Sequence, residues 1–133
     1  MLSYQHIYHA GNLADVHKHS MLAWILAYMT QKEKPLSYLE THAGRGLYDL
    51  NDPAALKTGE AAKGISLAQD WFADNHPYVQ VLSRIAAKHG ASAYPGSPLI
   101  AAESLRPSDT IHLSELHPQE FAALQENMTP YGG

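Results

Sequence analysis

The 133-residue chain contains no cysteine, which excludes disulfide scaffolds, thiolate nucleophiles and cysteine-ligated zinc sites. It also has no long hydrophobic run: the longest, from Met21 to Met29, is nine residues, whereas a membrane-spanning helix needs about 20. No signal-peptide pattern opens the sequence. Because 45% of the residues are hydrophobic and the length is typical of one domain, we expect a soluble globular domain in the cytoplasm that does not bind membranes.

Basic residues are few for a nucleic-acid-binding protein, since nine Lys and Arg face thirteen Asp and Glu and the formal net charge is −4. The deficit is uneven, because residues 1–34 carry a net charge of +1 and residues 35–133 one of −5. In the N-terminal segment aromatic rings and imidazoles alternate near a lysine: Tyr4, His6, Tyr8, His9 and Lys18. This pattern favours a surface that stacks bases and neutralises phosphate, with core packing as the alternative, more for Tyr8 than for Tyr4.

Nine histidines invite a metal site, because imidazole is the commonest metal ligand. On a helix, however, His17 and His19 project about 200° apart and cannot share an ion. The motif H-E-x-x-H is absent from the sequence. We therefore expect no metal, and imidazoles that are partly buried or face RNA.

The hydrophobic periodicity predicts five helices and two strands. Asn12 is the expected N-cap of the first helix, and Ser97 with Pro98 the expected start of the fourth. No strand pattern is present between residues 49 and 90. The predicted helices span 13–32, about 59–74, 77–89, 97–105 and 118–128, and the predicted strands span 36–41 and 110–115.

Removing residues 49–93 as an insertion leaves helix, strand, glycine turn, helix, strand and helix. Such alternation predicts a parallel sheet with a right-handed crossover, as at the start of a doubly wound α/β fold. Two strands do not make a stable open sheet, so we expect a truncated domain. A complete small α/β domain with a helical cap is the alternative.

Two features after the predicted strands favour a ligand. The first is the turn Thr41-His42-Ala43-Gly44-Arg45-Gly46, where glycines allow a ligand to approach the backbone. The second is Glu115, which lies 24 residues after Gly46 when the insertion is discounted, close to the spacing of about 20 for a ribose-binding acid. A plain turn and a solvated carboxylate are the alternatives, and no G-x-G-x-x-G is present. Together the two features favour a cofactor that carries adenosine.

The sequence resembles the RlmJ family, the adenine-N6 methyltransferases of 23S ribosomal RNA. The resemblance spans residues 1–118, although it is loose over 51–93. It implies a Rossmann-like class I methyltransferase fold that uses S-adenosylmethionine, with a helical subdomain (49–93) inserted into the cofactor domain (1–48 and 94–133). The matching stretches include Met1-Leu2-Ser3-Tyr4, His9-Ala10-Gly11-Asn12, Thr41-His42-Ala43-Gly44, Thr58-Gly59-Glu60, Tyr94-Pro95-Gly96-Ser97-Pro98 and Glu115-Leu116-His117-Pro118.

Carried over by position, the resemblance implies that four residues contact S-adenosylmethionine: His19, His42, Ser97 and Glu115. It implies that Tyr4 meets the substrate adenosine and that Lys18 assists on the substrate side.

The Asp-Pro-Pro-Tyr motif that holds the adenine amino group in such enzymes does not occur in residues 1–133. We therefore expect the catalytic Asp beyond Gly133 and predict that the full-length gene product methylates 23S rRNA, in a protein-free or early assembly state, as a monomer. Residues 1–133 alone are predicted to be inactive. The alternative is a non-catalytic nucleotide- or RNA-binding α/β module.

Overall fold

The computed structural model describes residues 4–132, so Met1, Leu2 and Ser3, which open the resemblance, lie outside the described residues. Within these described residues, two small sheets and seven α-helices make up a mixed α/β fold. No helix in the range 4–132 is long and apolar enough to cross a membrane. The helices are α1 (Leu13–Met29), α2 (Pro53–Thr58), α3 (Glu60–Lys63), α4 (Ile65–Ala68), α5 (Pro77–His89), α6 (Ser97–Ser104) and α7 (Pro118–Met128). The strands are β1 (Ser37–Glu40), β2 (Leu47–Asp49), β3 (Ala93–Pro95) and β4 (Thr110–Leu113).

The two predicted strands form a parallel pair, which confirms the α/β class. Strand β1 runs alongside β4 with Ser37 opposite Thr110 and Glu40 opposite Leu113. Residues on one face, such as Tyr38 and Ile111, are half-buried, whereas Leu39 on the other face is 69% exposed. One face of this sheet is therefore partly covered, with α6 packed against β4, and both strands end at the same edge.

The second sheet is a short antiparallel pair that periodicity did not predict. Strand β2 pairs with β3, with Tyr48 opposite Tyr94, and both of these rings are buried. Strands of three residues are too short to show an alternating pattern, and their pairing depends on partners 46 positions apart in the chain. The pair brings the two ends of segment 50–92 together.

The predicted continuous helix over 59–74 is wrong. Helices α3 and α4 and a 3₁₀ turn (Gln69–Trp71) occupy this stretch, and α2 precedes them. The break is at Gly64, where a Cβ atom would lie 2.1 Å from the Gly11 carbonyl oxygen, while the Ile65 amide donates a hydrogen bond to that same oxygen (2.8 Å). A tertiary contact that needs glycine therefore overrides the local helical pattern.

The other predicted helices are present. Helix α1 begins as expected after Asn12, whose side-chain oxygen accepts from the Asp15 amide (2.9 Å), although it ends at Met29, before the predicted Lys32. Helices α5 and α7 begin at Pro77 and Pro118, as predicted. Helix α1 packs against α5 and α6, so the segment between β2 and β3 shares one hydrophobic core with the rest of the chain. Buried members of this core include Ala23, Tyr78, Val81, Ile85, Tyr94, Leu99 and Ile100.

Candidate functional site

A cleft of about 530 Å³ lies where the carboxyl ends of β1 and β4 meet the N-terminal segment. In open α/β folds this edge of a parallel sheet is where ligands bind. All six residues singled out from the sequence line the cleft, although they are spread over 112 positions of the chain: Tyr4, Lys18, His19, His42, Ser97 and Glu115.

The turn after β1 requires glycine at two positions. Gly44 and Gly46 have φ angles of +69° and +85°, which disfavour any residue with a Cβ atom. A Cβ at Gly44 would lie 2.5 Å from the Tyr48 hydroxyl, and one at Gly46 would lie 3.1 Å from the Leu99 side chain. The turn therefore packs tightly on the elements behind it and presents its backbone to the cleft.

Glu115 joins this turn to the segment after β4. Its Oε1 accepts from the Gly44 amide (2.8 Å) and its Oε2 from the His117 amide (2.9 Å). An ionised carboxylate has about four acceptor positions, so these two bonds leave capacity for ligand hydroxyls. The carboxylate is therefore held in place by the backbone and can still accept from a ligand.

Ser97 does not cap helix α6, which corrects the sequence prediction. Gly96 occupies the N-cap position in an extended conformation, and Ser97 is the first helical residue. The Ser97 hydroxyl donates to Glu40 Oε2 (2.7 Å), while the Tyr38 hydroxyl donates to Glu40 Oε1 (2.6 Å). Burial raises the pKa of Glu40, and these two hydrogen bonds oppose it. Glu40 was missed by sequence reasoning, although its position two residues after Tyr38 in a strand places both on one face.

His19 is 2% exposed, and its Nδ1 lies 2.9 Å from the Tyr94 hydroxyl, which is 2.8 Å from that of Tyr78. Burial lowers the pKa of His19 to about 4, outweighing the attraction of the Asp15 carboxylate. His19 is therefore neutral near pH 7. His17 is exposed, which confirms that the two histidines face different sides of α1. Within residues 4–132, no three potential metal ligands cluster together.

A hydrogen-bonded chain of three side chains borders the cleft on the N-terminal side. Asp15 Oδ2 lies 2.6 Å from His6 Nε2, and His6 Nδ1 lies 2.7 Å from the Tyr4 hydroxyl. Asp15 is 2% exposed; burial would raise its pKa, but the bond from His6 and further favourable contacts lower it. Burial, aided by the Asp15 charge, raises the pKa of Tyr4. The sequence pattern included His6 in a stacking surface but did not predict this chain of hydrogen bonds, because nothing in the sequence shows that Asp15 lies across from His6.

The remaining polar residues give the cleft a mixed charge. Lys18 and His42 are exposed at its edge, and the Lys18 charge partly opposes the burial that raises the pKa of Glu40. Arg45 donates two hydrogen bonds to the buried carboxylate of Glu120 (2.7 and 2.8 Å), and the charges of this ion pair compensate each other. Lys18 is therefore a cation that a ligand phosphate or carboxylate can reach.

A family model described as ribosomal RNA large subunit methyltransferase D, RlmJ, matches residues 33–131, which include both parallel strands, the glycine turn and Glu115. The chain belongs to this family. RlmJ membership confirms the resemblance inferred from the sequence motifs.

Two curated RlmJ relatives are named ribosomal RNA large subunit methyltransferase J. The one from Escherichia coli (strain K12) is 43% identical over 130 residues, 94% of this chain and 46% of the relative. The one from Haemophilus influenzae is 43% identical over 135 residues, 97% of this chain and 47% of the relative. A crystal structure of protein LPL1258 from Legionella pneumophila matches 88% of this chain and 44% of its own, with a TM-score of 0.74 and 42% identity. The chain thus spans about half the length of these proteins.

Proposed function

We propose that this chain forms the cofactor-binding part of an S-adenosylmethionine-dependent methyltransferase that acts on the N6 amino group of an adenine in 23S rRNA. One observation carries the proposal: the glycine turn after β1 and Glu115 after β4 are joined by a 2.8 Å hydrogen bond at the edge of a parallel sheet, inside the cleft that gathers all six candidate residues. Kinship with proteins named ribosomal RNA methyltransferases supports the reaction class.

The proposed fold is a Rossmann-like class I methyltransferase domain, of which residues 1–48 and 94–133 form an incomplete part. Residues 49–93 are proposed to be an inserted helical subdomain. The antiparallel pair of β2 and β3 supports these boundaries, because it brings together the two ends of the inserted segment. A monomeric state and a cytoplasmic location stay predictions.

The cleft fits the proposed cofactor in size and chemistry. Its volume lies within the range of roughly 300–1,000 Å³ that is typical of small-molecule sites. Glu115 is proposed to accept from the ribose hydroxyls, His42 to lie beside the methionine part, and Ser97 and neutral His19 to complete the contacts. When bound, S-adenosylmethionine supplies a methyl group activated by the positive sulfonium.

The N-terminal side of the cleft is proposed to receive the substrate. Tyr4 offers an aromatic ring on which an adenine can stack, and Lys18 offers a cation for a backbone phosphate. The adenine amino group is a poor nucleophile, because its lone pair is delocalised into the ring, and a catalytic Asp would hold it by accepting hydrogen bonds from it. Residues 1–133 carry no Asp-Pro-Pro-Tyr, so we propose that they supply binding and orientation but not this acceptor.

Titration calorimetry with S-adenosylmethionine tests the cofactor site. We expect the wild-type chain to bind, Glu115→Ala to bind about tenfold more weakly because a charge-assisted hydrogen bond is lost, and His42→Ala to bind more weakly as well. Glu126→Ala, on the exposed side of α7, is the matched control and should bind like the wild type. Binding that is indifferent to both cleft substitutions would remove the proposed site.

A methyl-transfer assay on protein-free 23S rRNA tests whether residues 1–133 lack the acceptor for the adenine amino group. We expect no turnover by residues 1–133, and turnover would show that the amine acceptor lies within them. RNA binding without any affinity for S-adenosylmethionine would instead favour the non-catalytic RNA-binding module.

A further inference from the structure

The motif Thr58-Gly59-Glu60 lies outside the cleft lining, yet its side chains are directed at the N-terminal segment. The Thr58 hydroxyl donates to the Tyr8 carbonyl oxygen (2.5 Å). Glu60 Oε2 accepts from His9 Nδ1 (2.8 Å), and Glu60 Oε1 accepts from the Asn12 side-chain amide (3.2 Å). Both oxygens of this carboxylate are therefore used to hold residues that precede helix α1.

His9 transmits this contact to the cleft. Its ring is stacked on Tyr4, with ring centroids 5.8 Å apart and planes inclined by 10°. Tyr4 lines the cleft and is 65% exposed, so burial alone does not fix its ring. Within the described part of the chain, two contacts orient the ring: the stack on His9 and the hydrogen bond between its hydroxyl and His6.

We propose that Glu60 is a positioning residue for substrate recognition: by orienting His9, it fixes the Tyr4 ring in the plane on which an adenine base stacks. This inference rests on the proposed function, in which Tyr4 meets the base.

The chemistry suits the role. An imidazole whose ring nitrogen donates a hydrogen bond to a carboxylate cannot rotate freely. Its π face therefore keeps a constant orientation toward the neighbouring ring. Without the Glu60 acceptor, His9 is free to turn, and among residues 4–132 the bond to His6 is left to orient Tyr4. The base would then have to order the Tyr4 ring on binding, which lowers its affinity.

The first measurement is NMR of the wild-type chain, Glu60→Ala and Glu60→Gln, with Glu126→Gln as the control. We expect nuclear Overhauser contacts between the His9 and Tyr4 rings in the wild type, their loss in Glu60→Ala, and their recovery in Glu60→Gln, which keeps an acceptor oxygen. Contacts that persist in Glu60→Ala would overturn the positioning role, whether or not any ligand binds.

The second measurement is the affinity for adenosine 5′-monophosphate with the cofactor position filled by S-adenosylhomocysteine. We expect Glu60→Ala to weaken base binding about tenfold, within the usual contribution of base–aromatic stacking, and to leave affinity for S-adenosylhomocysteine unchanged. Glu60→Gln should recover most of the base affinity.

Two results separate the ways in which the proposal can fail. Unchanged base affinity in Glu60→Ala, together with lower stability, would reduce Glu60 to a structural residue and overturn the inference. Failure of the wild-type chain to bind S-adenosylhomocysteine would instead count against the proposed function, and the ring contacts would still decide the role of Glu60.

Discussion

The two walls of the cleft are built in different ways. The sheet wall (His42, Gly44, Ser97 and Glu115) follows strands and a helix, and backbone amides hold its central carboxylate. The N-terminal wall (Tyr4, His6, Lys18 and His19) is held by side chains bonded to side chains, with imidazoles at His6, His9 and His19.

This difference predicts which wall of the cleft is more sensitive to pH and to single substitutions. The backbone amides and glycine packing that hold the sheet wall do not titrate near neutral pH. The N-terminal wall depends on a buried neutral imidazole and on contacts with the segment between β2 and β3, so pH and single substitutions there should disturb it first.

Gly64→Ala is expected to have the largest effect, because it forces the N-terminal wall away from helix α4. The new Cβ would lie 2.1 Å from the Gly11 carbonyl oxygen. The same oxygen accepts a hydrogen bond from the Ile65 amide, and the added methyl group would displace it. Overpacking against backbone together with this lost hydrogen bond should lower the free energy of unfolding by about 4 kcal/mol. Urea unfolding measures this change.

The matched control is Gly59→Ala, because Gly59 also lies in the segment between β2 and β3. Gly59 has a φ of +66° and no heavy atom within 4 Å of a new Cβ, so only backbone strain of about 1 kcal/mol applies. An equal decrease in the free energy of unfolding for the two substitutions would contradict the tight contact between Gly64 and Gly11.

Lowering the pH should destabilise the N-terminal wall through His19. Because its folded-state pKa is about 4 and its unfolded value 6.5, the unfolded chain binds a proton first as the pH falls. The contribution of His19 to the free energy of unfolding is therefore fully present above about pH 6.5 and decreases by about 3 kcal/mol between pH 6.5 and 4.

Urea midpoints between pH 7.5 and 4.5 test the His19 effect. In His19→Asn, whose side chain can still bond the Tyr94 hydroxyl but does not titrate, most of the slope should vanish. A slope as steep as that of the wild type would assign the effect to other groups.

Ser97→Ala should have a smaller effect, this time on the sheet wall. The half-buried Glu40 carboxyl loses one of its two donors, which should cost about 1 kcal/mol and raise the pKa of Glu40 further. Urea unfolding and carbon-13 NMR of the Glu40 carboxyl measure the two changes. The exposed Ser83 on α5 supplies the control, and Ser83→Ala should stay within about 0.5 kcal/mol of the wild type.

Tyr4→Phe should have the smallest effect on stability, because it removes one exposed hydroxyl from His6 and leaves Asp15 with its bonds from His6 and the Gly11 amide. We expect a loss of about 0.5 kcal/mol in urea unfolding. A loss above about 1.5 kcal/mol would show that the bond from Tyr4 to His6 holds the N-terminal wall by itself.

Elements with local signals were predicted correctly from the sequence. Asn12 caps α1 through its own side chain, and α5 and α7 begin at prolines, which fit the first turn of a helix. Asp52-Pro53 offered the same signal for α2, where the Asp52 side chain accepts from the Ala54 amide, and was missed. Ser97 had the residue types of a cap, but Glu40 competes for its hydroxyl, and Glu40 is 57 positions away in the chain.

The six candidate residues were taken over from the family resemblance, and the structure gathers them in one cleft. His42, Ser97 and Glu115 lie at the ends of predicted elements, whereas Lys18 and His19 lie within α1. The role of each residue in binding stays a prediction. The contacts of His6 and Glu40 were not predicted, because only folding brings their partners near: Asp15 for His6 and Ser97 for Glu40.

The sequence by itself determined the α/β class, the parallel pair, the family and the edge of the sheet where the cleft lies, because capping, periodicity and motifs are local in the chain. Only the tertiary structure decided the pairing of β2 with β3, the break at Gly64 and the side-chain chain from Asp15 through His6 to Tyr4. These features depend on contacts between distant residues, which compete with local preferences and override them where close packing leaves no room for a side chain.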